Sequence, residues 1–526
     1  MTSIFDLPKS VEELDSLNDG MTRVGYNQVS ATRDVTGASF PNGTQHYKWT
    51  TASTQWWIPA RSYFRMRLSI KDAGGNPLEI GDDVAPNMGL CANLFQSAEL
   101  RLQGKTISRI SDFLPQIDAL ETRMDKSKAY LDGTGASLNL WQPSVAERKT
   151  VMCDDAPALN KSGADDVFLT SVVAPNQVAV AVTGVFTFTQ NGGVAIPDLT
   201  TLFNVGDEAE IAVAGGRTYT IKVAAVAAAT LTSSSSQEAV GATNVTSLRR
   251  IRPVSASRAV ENIELIWKPP LSLMKHDKAL PQGAWEIVLN PHNSSAYQKY
   301  GIESAQADKV AGTDFTLTVD EMFFYCAVVE GERFDTGSYV LDLDNTSCQV
   351  NQISQTGFGQ KDFTVSPATY ALTAAYQDTR VGTNSLCSST KFKSYNAGLT
   401  ASEELKLNRF FINYNSQNYP EIDADPTFDA TTDRTAQRYA ETQIMSGCMF
   451  NEGGCESIQE YHDRGSYYHF KCPQDAGSRA TRVIVHQGFN AADVDNMRLL
   501  LFSHHKSVMY VSVKDGQVLS VDVEEM

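Results

Sequence analysis

The 526-residue sequence lacks the segments and motifs that mark membrane, secreted and nucleotide-binding proteins. No apolar run approaches the roughly 20 residues of a membrane helix. The first residues, Met1–Asp6, have neither the basic start nor the apolar stretch of a signal peptide. Neither Gly-x-x-x-x-Gly-Lys-Ser/Thr nor Gly-x-Gly-x-x-Gly, the loops that cradle nucleotide phosphates, is present. We therefore expect a chain that is made and folded in the cytosol and that binds no cofactor.

Positive charge is also scarce, since 44 Lys and Arg face 61 Asp and Glu, for a net charge of −17. A protein that coats nucleic acid directly needs Lys and Arg to neutralise phosphates. Residues 1–20 instead carry only Lys9 against Asp6, Glu12, Glu13, Asp15 and Asp19. We therefore expect no direct nucleic-acid binding. In this arm Ser10 and Glu13 form a capping-box pattern, which predicts a short acidic helix. The helix either docks on its own or a neighbouring subunit, or it is a solvated tail.

Close cysteine pairs are missing as well. The sequence has 8 cysteines and no Cys-x-x-Cys, whereas zinc sites normally contain such ligand pairs. Cys448 and Cys455, with His462 and His469 downstream, come nearest to a cluster, but their spacing fits no standard zinc site. Glycines precede both cysteines, yet no further signal orients a catalytic thiol. We predict reduced structural thiols, with no metal ligands and no catalytic cysteine.

Catalytic and ligand-binding alternatives find little other support. Gly-x-Ser-x-Gly, the nucleophile elbow, does not occur. The acidic stretch Glu421–Asp425 is interpreted as a turn that could supply a glycosidase carboxylate pair or a calcium loop, and a solvated surface is favoured. His504 and His505 beside Lys506 are interpreted as an exposed strand end rather than a ligand pair. The prediction is no enzyme, with no catalytic, cofactor or metal residues.

Short alternating strands dominate what is present. Residues 63–70 alternate apolar Phe64, Met66, Leu68 and Ile70 with polar neighbours, the pattern of a half-buried strand. Similar segments recur along the chain and are separated by turns rich in Gly, Asn, Asp and Pro, which favours sandwiches. The further strand candidates lie at 55–59, 98–102, 262–267, 284–289, 315–330, 363–375, 405–414, 467–471, 482–486, 497–502 and 508–513.

Two helices fall at similar places in the two halves. Residues 113–124 repeat apolar side chains at helical spacing after the strand 98–102, and Pro115 falls in the first turn, where its missing N–H does no harm. In the second half the strand 410–414 leads through Asn415 and Pro420 to a helical stretch at 435–445. The order of strand, turn and helix indicates a duplicated sandwich.

Residues 165–252 differ from their surroundings. They are rich in Ala, Val, Thr and Ser, and the strand-like segments 185–189 and 218–223 flank glycine turns. A disordered linker would not show such alternation. We predict a small β domain inserted in a loop of the first sandwich.

The order of these elements resembles the major capsid proteins of the adenovirus, algal large-DNA-virus and polinton-like lineage. The segments that carry the resemblance are Trp56–Ile70, Ser97–Lys105, Leu120–Thr122, Pro270–Met274, Leu280–Gly283, Arg438–Thr442, Tyr467–Pro473 and Val521–Val523. It covers most of the chain except 165–252. It implies an all-β fold of two fused jelly-roll sandwiches with short helices in loops. Jelly roll 1 would span 21–335, interrupted by the insert, and jelly roll 2 would span 336–526.

The resemblance also implies how such a chain works. Three copies would form a homotrimer, a pseudo-hexameric capsomer of six jelly rolls with upright strands, and capsomers would build the icosahedral shell of a DNA virus. Partners would be further copies, neighbouring capsomers, penton and minor capsid proteins, and cement proteins or an internal membrane beneath the shell. The insert would lie in a tower on the outer surface of the virion.

A second hypothesis remains open, a virion-associated protein that binds or degrades carbohydrate, such as an adhesin or depolymerase. It too would be acidic, β-rich and aromatic. The aromatic residues Trp56, Trp57, Tyr467, Tyr468 and Phe470 are candidates for sheet cores or for subunit contacts.

Overall fold

The computed structural model describes most of the chain. The described residues are 24–51, 55–75, 84–142, 148, 166–168, 177–190, 198–201, 203, 208–251, 263–276, 279–294, 296–304, 310–330, 337–353, 357–381, 388–393, 407–424, 435–447, 456–472, 481–489, 496–515 and 517–525. The predicted N-terminal helix lies outside them.

Strands make up most of the described structure. In the first half they are β1 (Val24–Ser30), β2 (Gln45–Thr50), β3 (Gln55–Trp57), β4 (Tyr63–Asp72), β5 (Val84–Pro86), β6 (Phe95–Leu102), β7 (Lys105–Ile110), β8 (Asp166–Phe168), β9 (Gln177–Val180), β10 (Val185–Thr189), β11 (Glu208–Val213), β12 (Arg217–Ala227), β13 (Thr230–Ser233), β14 (Val240–Ile251), β15 (Ile263–Trp267), β16 (Ala284–Pro291), β17 (Ile302–Ser304) and β18 (Phe315–Glu330). In the second half they are β19 (Gly337–Ile353), β20 (Gly357–Thr364), β21 (Thr369–Asp378), β22 (Leu407–Tyr414), β23 (Gln417–Ala424), β24 (Tyr467–Lys471), β25 (Arg482–Phe489), β26 (Met497–Lys514) and β27 (Gln517–Glu525).

The helices are short and lie in connections between strands. They are α1 (Leu90–Asn93), α2 (Leu114–Asp125), α3 (Ala136–Asn139), α4 (Ala296–Gly301), α5 (Thr435–Ser446) and α6 (Ile458–Asp463). Helices α2 and α5 confirm the two predicted helices.

The first jelly roll consists of two antiparallel sheets. One has the order β1-β18-β4-β15, with β3 also paired to β18, and the other has the order β2-β16-β6-β7. Counted along the chain, the main strands of the first sheet are the first, eighth, third and sixth, and those of the second are the second, seventh, fourth and fifth. This interleaving of two Greek keys defines a jelly roll.

Tryptophans fill the space between these two sheets. Trp285 on β16 pairs in register with Trp49 on β2, and Trp57 packs on both, with ring centroids 4.6 Å from Trp285 and 5.0 Å from Trp49. Tilted and edge-on rings add attraction beyond the area they bury. On β4 the inward Phe64 meets the edge of Tyr47 at 4.9 Å. The alternation predicted for residues 63–70 therefore points its apolar side chains into this core.

The second jelly roll repeats the same strand order. Its sheets are β19-β26-β21-β24, with β27 added beside β26, and β20-β25-β22-β23. The positions along the chain are again first, eighth, third and sixth, then second, seventh, fourth and fifth. In each roll a helix follows the fifth strand, α2 after β7 and α5 after β23. The predicted all-β fold of two fused jelly rolls is confirmed by this duplicated topology.

The inserted β domain forms a compact unit of its own, with Ser69–Ala85 and Val145–Ile263. Its sheet order is β11-β12-β13-β10-β9-β14-β8, and it closes on itself because β11 also pairs with β14. Phe186, Tyr219, Leu231 and Leu248 lie in its core. The predicted insertion is confirmed, and it interrupts the connection from β7 to β15. Its limits at 165 and 252 stay a prediction.

Three of the predictions about strands and turns are wrong. The predicted strand 363–375 is two strands, because a turn containing Pro367 separates β20 from β21. The predicted strands 497–502 and 508–513 are one strand, β26, since β19 pairs with it throughout, including the polar residues between. The predicted acidic turn is also largely a strand, because 421–424 belongs to β23, and Asp425 lies outside the described residues.

Candidate functional site: the junction between the two jelly rolls

Helix α2 is positioned to join the two jelly rolls. It begins after Phe113, whose left-handed φ of 60° turns the chain out of β7, and Pro115 occupies its first turn. The helix contacts β6 of the first roll and β19 of the second. Ile117 and Leu120 are buried, as an amphipathic stripe requires. Gln116 and Asp118, which fall about 100° to either side of Ile117, are buried too, so α2 has protein on more than one side.

Arg123 makes the strongest polar contact across the junction. Its Nε donates to Glu456 Oε1 at 3.0 Å and its Nη2 to Glu456 Oε2 at 2.9 Å, while Nη1 donates to the Arg464 carbonyl at 3.3 Å. Arg464 donates to the same carboxylate at 3.3 Å. The side chains of Arg123 and Glu456 are both fully buried. The result is a bidentate ion pair that fixes the distance and angle between α2 and the segment of the second roll that carries Glu456.

The surroundings favour the charged form of Arg123. Burial opposes the charge, but Glu456 outweighs it and the pKa of Arg123 is raised. The guanidinium also lies over the Tyr467 ring, 4.7 Å from its centroid, a cation–π contact that gains strength where water is excluded. A buried pair is costly to assemble, and removing one partner leaves an uncompensated charge. The pair therefore holds the junction in one geometry.

A chain of hydrogen bonds runs from α2 across the sheet of the second roll. The Thr346 hydroxyl donates to Glu121 Oε1 at 2.7 Å and lies 3.1 Å from His504 Nδ1. His504 Nε2 lies 2.9 Å from Thr373 Oγ1, which is 2.8 Å from His469 Nδ1. These residues lie on β19, β26, β21 and β24, so the chain crosses the whole path of that sheet. All five side chains are buried.

Burial and the direction of the bonds together set the tautomers of both histidines. Burial lowers the pKa of His504 and of His469 to about 3, so both rings are neutral near pH 7. Since Thr346 uses its only proton on Glu121, the neutral His504 donates from Nδ1 and accepts from Thr373 at Nε2. Thr373 in turn accepts from His469 Nδ1.

Smaller contacts extend the junction. Gln116 on α2 donates to Gln377 Oε1 at 3.1 Å, and Thr390 donates to the Met88 carbonyl at 2.8 Å. At β7, Lys105 pairs with Asp522 at 2.6 Å. Both jelly rolls accordingly belong to one compact unit. The ion pair and hydrogen bonds of α2 are shielded from water, which suits a mechanical role, whereas Lys105 and Asp522 are exposed.

The histidines and aromatics singled out from the sequence are mostly buried. The interpretation of His504 and His505 as an exposed strand end is wrong, because they lie within β26 and His504 is buried in the junction. The aromatic candidates, Trp56, Trp57, Tyr467, Tyr468 and Phe470, are all buried within the chain. Of the two roles considered for them, cores within the subunit are confirmed.

The four cysteine thiols within the described residues are poor nucleophiles. Burial raises the pKa of Cys472 to about 12 and raises those of Cys91, Cys326 and Cys348 as well, which keeps them protonated. Cys448 and Cys455 lie outside the described residues, so their predicted structural role stays a prediction. Among the described residues, no group of three or more His, Cys, Asp or Glu side chains could hold a metal ion.

The sequence pattern of α2 does not predict that its charged residues are buried. Asp118, Glu121 and Arg123 are buried, whereas Asp125 at the end of the helix is exposed. A helix with an apolar stripe usually leaves such residues in solvent. Their partners, Glu456 and Thr346, lie hundreds of residues away, and no local motif links them. No described helix is long and apolar enough to cross a bilayer.

Comparison with known proteins finds similar folds at low identity. No protein-family model and no curated protein matches the chain. A chain of the Sputnik virophage structure is 10% identical, with a TM-score of 0.47, over 97% of this chain and 89% of that one. The Faustovirus major capsid protein is 10% identical, TM-score 0.45, over 98% and 93%, and the mavirus major capsid protein is 9% identical, TM-score 0.41, over 100% and 96%. At these scores the fold assignment depends on the strand order of the chain itself.

Proposed function

We propose that this chain is the major capsid protein of an icosahedral DNA virus and that it acts by assembling, not by catalysis. One observation carries the proposal: two jelly rolls of identical strand order are fixed to each other by a buried junction. Coat proteins are one of the recurring uses of jelly rolls. A shell subunit must keep its shape while its edges contact neighbours, and the Arg123–Glu456 pair supplies that rigidity.

The proposed unit is a homotrimer, in which six jelly rolls approximate a hexagonal tile. An obligate interface of this kind buries about 2,000 Å² or more. With a net charge of −17, the subunit is poorly suited to neutralise phosphates, so its partners would be copies of itself, penton and minor capsid proteins, and cement proteins or a membrane beneath the shell. It would be made in the host cytosol and reside in the virion. The division into 1–20, 21–335 with the 165–252 insert, and 336–526 belongs to the same proposal.

The test is the assembly state of the purified chain. Size-exclusion chromatography with light scattering should give a trimer, and electron microscopy should show shells or flat arrays at higher concentration. A variant with a short linker in place of 165–252 should still form trimers, since each jelly roll has its main strands outside that segment. A monomer that retains or hydrolyses glycans would instead support the adhesin or depolymerase hypothesis.

A further inference from the structure

The duplicated fold places a helix after the fifth strand of each jelly roll and gives each roll an equivalent sheet face. Helix α5 packs on β24 of its own roll, and among the described residues only the second roll has its sheet face covered by the helix of the other roll. In the second roll, the outer face of sheet β19-β26-β21-β24 carries Thr346 and His504 and is covered by α2 of the first roll. The equivalents within the duplication are the outer face of sheet β1-β18-β4-β15 and helix α5. Neither of these has the counterpart contact within the chain's described residues.

Helix α5 exposes apolar residues and buries polar ones, which is the reverse of the pattern expected for a helix that packs only against its own chain. It buries the polar residues Arg438, Thr442 and Gln443, whereas Ile444 is 44% exposed and Met445 is 41% exposed. Both α2 and α5 have 12 residues, and the tenth is Arg123 in α2 and Ile444 in α5. The tenth position is therefore buried in α2 and exposed in α5. Burying Ile444 requires a surface that the described part of the chain does not supply.

The outer sheet face of the first roll offers a matching surface. Tyr26, which is 50% exposed, packs against Tyr63 with centroids 5.7 Å apart, and Tyr63 stacks on Tyr325 at 5.4 Å. These tyrosines come from β1, β4 and β18, the counterparts of β19, β21 and β26. Next to Tyr63, a cavity of about 570 Å³ lies between Ile266 and residues of α2 such as Glu121 and Asp125. Tyrosine is enriched at the centres of protein interfaces because it buries a large ring at small entropic cost.

We infer that α5 of one copy docks on the tyrosine face of the first jelly roll of a second copy, with Ile444 and Met445 against Tyr26, Tyr63 and Tyr325. The inference rests on the proposed self-assembly and names the surfaces that perform it. The contact joins two different surfaces, so it is head-to-tail, and it generates a ring when the rotation closes. It repeats between chains the helix-on-sheet arrangement that the junction makes within one chain.

The test uses two variants that each destroy one side. Ile444→Asp with Met445→Asp removes the helix side, and Tyr26→Asp with Tyr325→Asp removes the sheet side. Each places charge in a surface that would be desolvated, so the apparent affinity between copies should fall by about a hundredfold and each variant should be a monomer by light scattering. Leu519→Asp, at an exposed apolar residue of β27, is the control and should remain assembled as the wild type. Far-UV circular dichroism checks that each variant is folded.

Mixing the two variants distinguishes this contact from others. Each still carries the side that the other has lost, so the mixture should form one-to-one heterodimers that cannot close into a ring. The variant with Tyr26→Asp and Tyr325→Asp keeps an intact α5, which would dock on the intact sheet of the variant with Ile444→Asp and Met445→Asp. Variants that stay trimeric, or a mixture that stays monomeric, would overturn the inference while leaving the proposed function intact. A monomeric wild type that forms no arrays would instead overturn the proposed function.

Discussion

The same sheet face is covered in one jelly roll and open in the other. In the second roll it is lined with threonine and histidine and covered by α2, which makes one fully buried ion pair and buried hydrogen bonds to that roll. In the first roll it holds stacked tyrosines and partly exposed charges, such as Arg65 paired with Glu264 at 2.6 Å. Identical topology therefore does not dictate the chemistry of a surface. A permanent contact within a chain can use directional buried polar groups, whereas a face that must also meet water is built from amphipathic side chains.

The largest expected effect comes from breaking the covered face at its ion pair. Arg123→Met should lower the free energy of unfolding by about 3–5 kcal/mol, because it leaves the Glu456 carboxylate buried with less compensation. Glu456→Gln should cost at least as much, since it leaves the buried guanidinium groups of Arg123 and Arg464 without a counter-charge and turns an amide N–H2 towards one of their donors. Urea unfolding of both variants and of the double variant measures the coupling. A loss below about 1 kcal/mol for Arg123→Met would show that the junction does not depend on this pair.

The sequence predicts the strands and helices of the two jelly rolls better than it predicts the side-chain contacts of the junction. Alternation at 63–70 and the helical spacing at 113–124 predicted β4 and α2 to within a few residues, because each pattern is local. The strand β19 was missed, since its inward residues are sparse and many of its side chains are polar. The chain of hydrogen bonds through His504 was missed for a related reason. Thr346 and Thr373 can form hydrogen bonds with the His504 ring only after strands that are distant in sequence have paired. Contacts made by long-range pairing leave no periodic trace in the chain.

An intermediate effect should follow from the acid titration of one buried histidine, again on the covered face. His469 and His504 have pKa values of about 3 in the folded protein and about 6.5 when unfolded. Their contribution to stability is therefore fully present above pH 6.5 and is lost as the pH falls from 6.5 towards 3, because only the unfolded chain then takes up protons. Each contributes a slope of about 1.4 kcal/mol per pH unit in that window.

His504→Gln isolates one of these titrations. Glutamine still offers hydrogen bonds to Thr346 and Thr373 but takes up no proton, so the variant should be less stable at pH 7.5 yet lose less stability on acidification. The measurement is the free energy of unfolding in urea at several pH values from 4.5 to 7.5, compared with the wild type. Parallel curves for the two proteins would mean that His504 takes up protons equally in the folded and the unfolded state.

The smallest effect is expected on the open face, at the Arg65–Glu264 pair. Although its 2.6 Å separation is shorter than that of the buried pair, both side chains are partly exposed, so water and salt screen the attraction. Arg65→Met should therefore change the free energy of unfolding of the isolated subunit by about 1 kcal/mol or less, and the difference should shrink further at 1 M salt. Comparison with Arg123→Met under the same conditions shows whether the distance between the charges or their burial determines how much an ion pair contributes to stability. A cost for Arg65→Met equal to that of Arg123→Met would mean that burial does not determine how much these pairs contribute to stability.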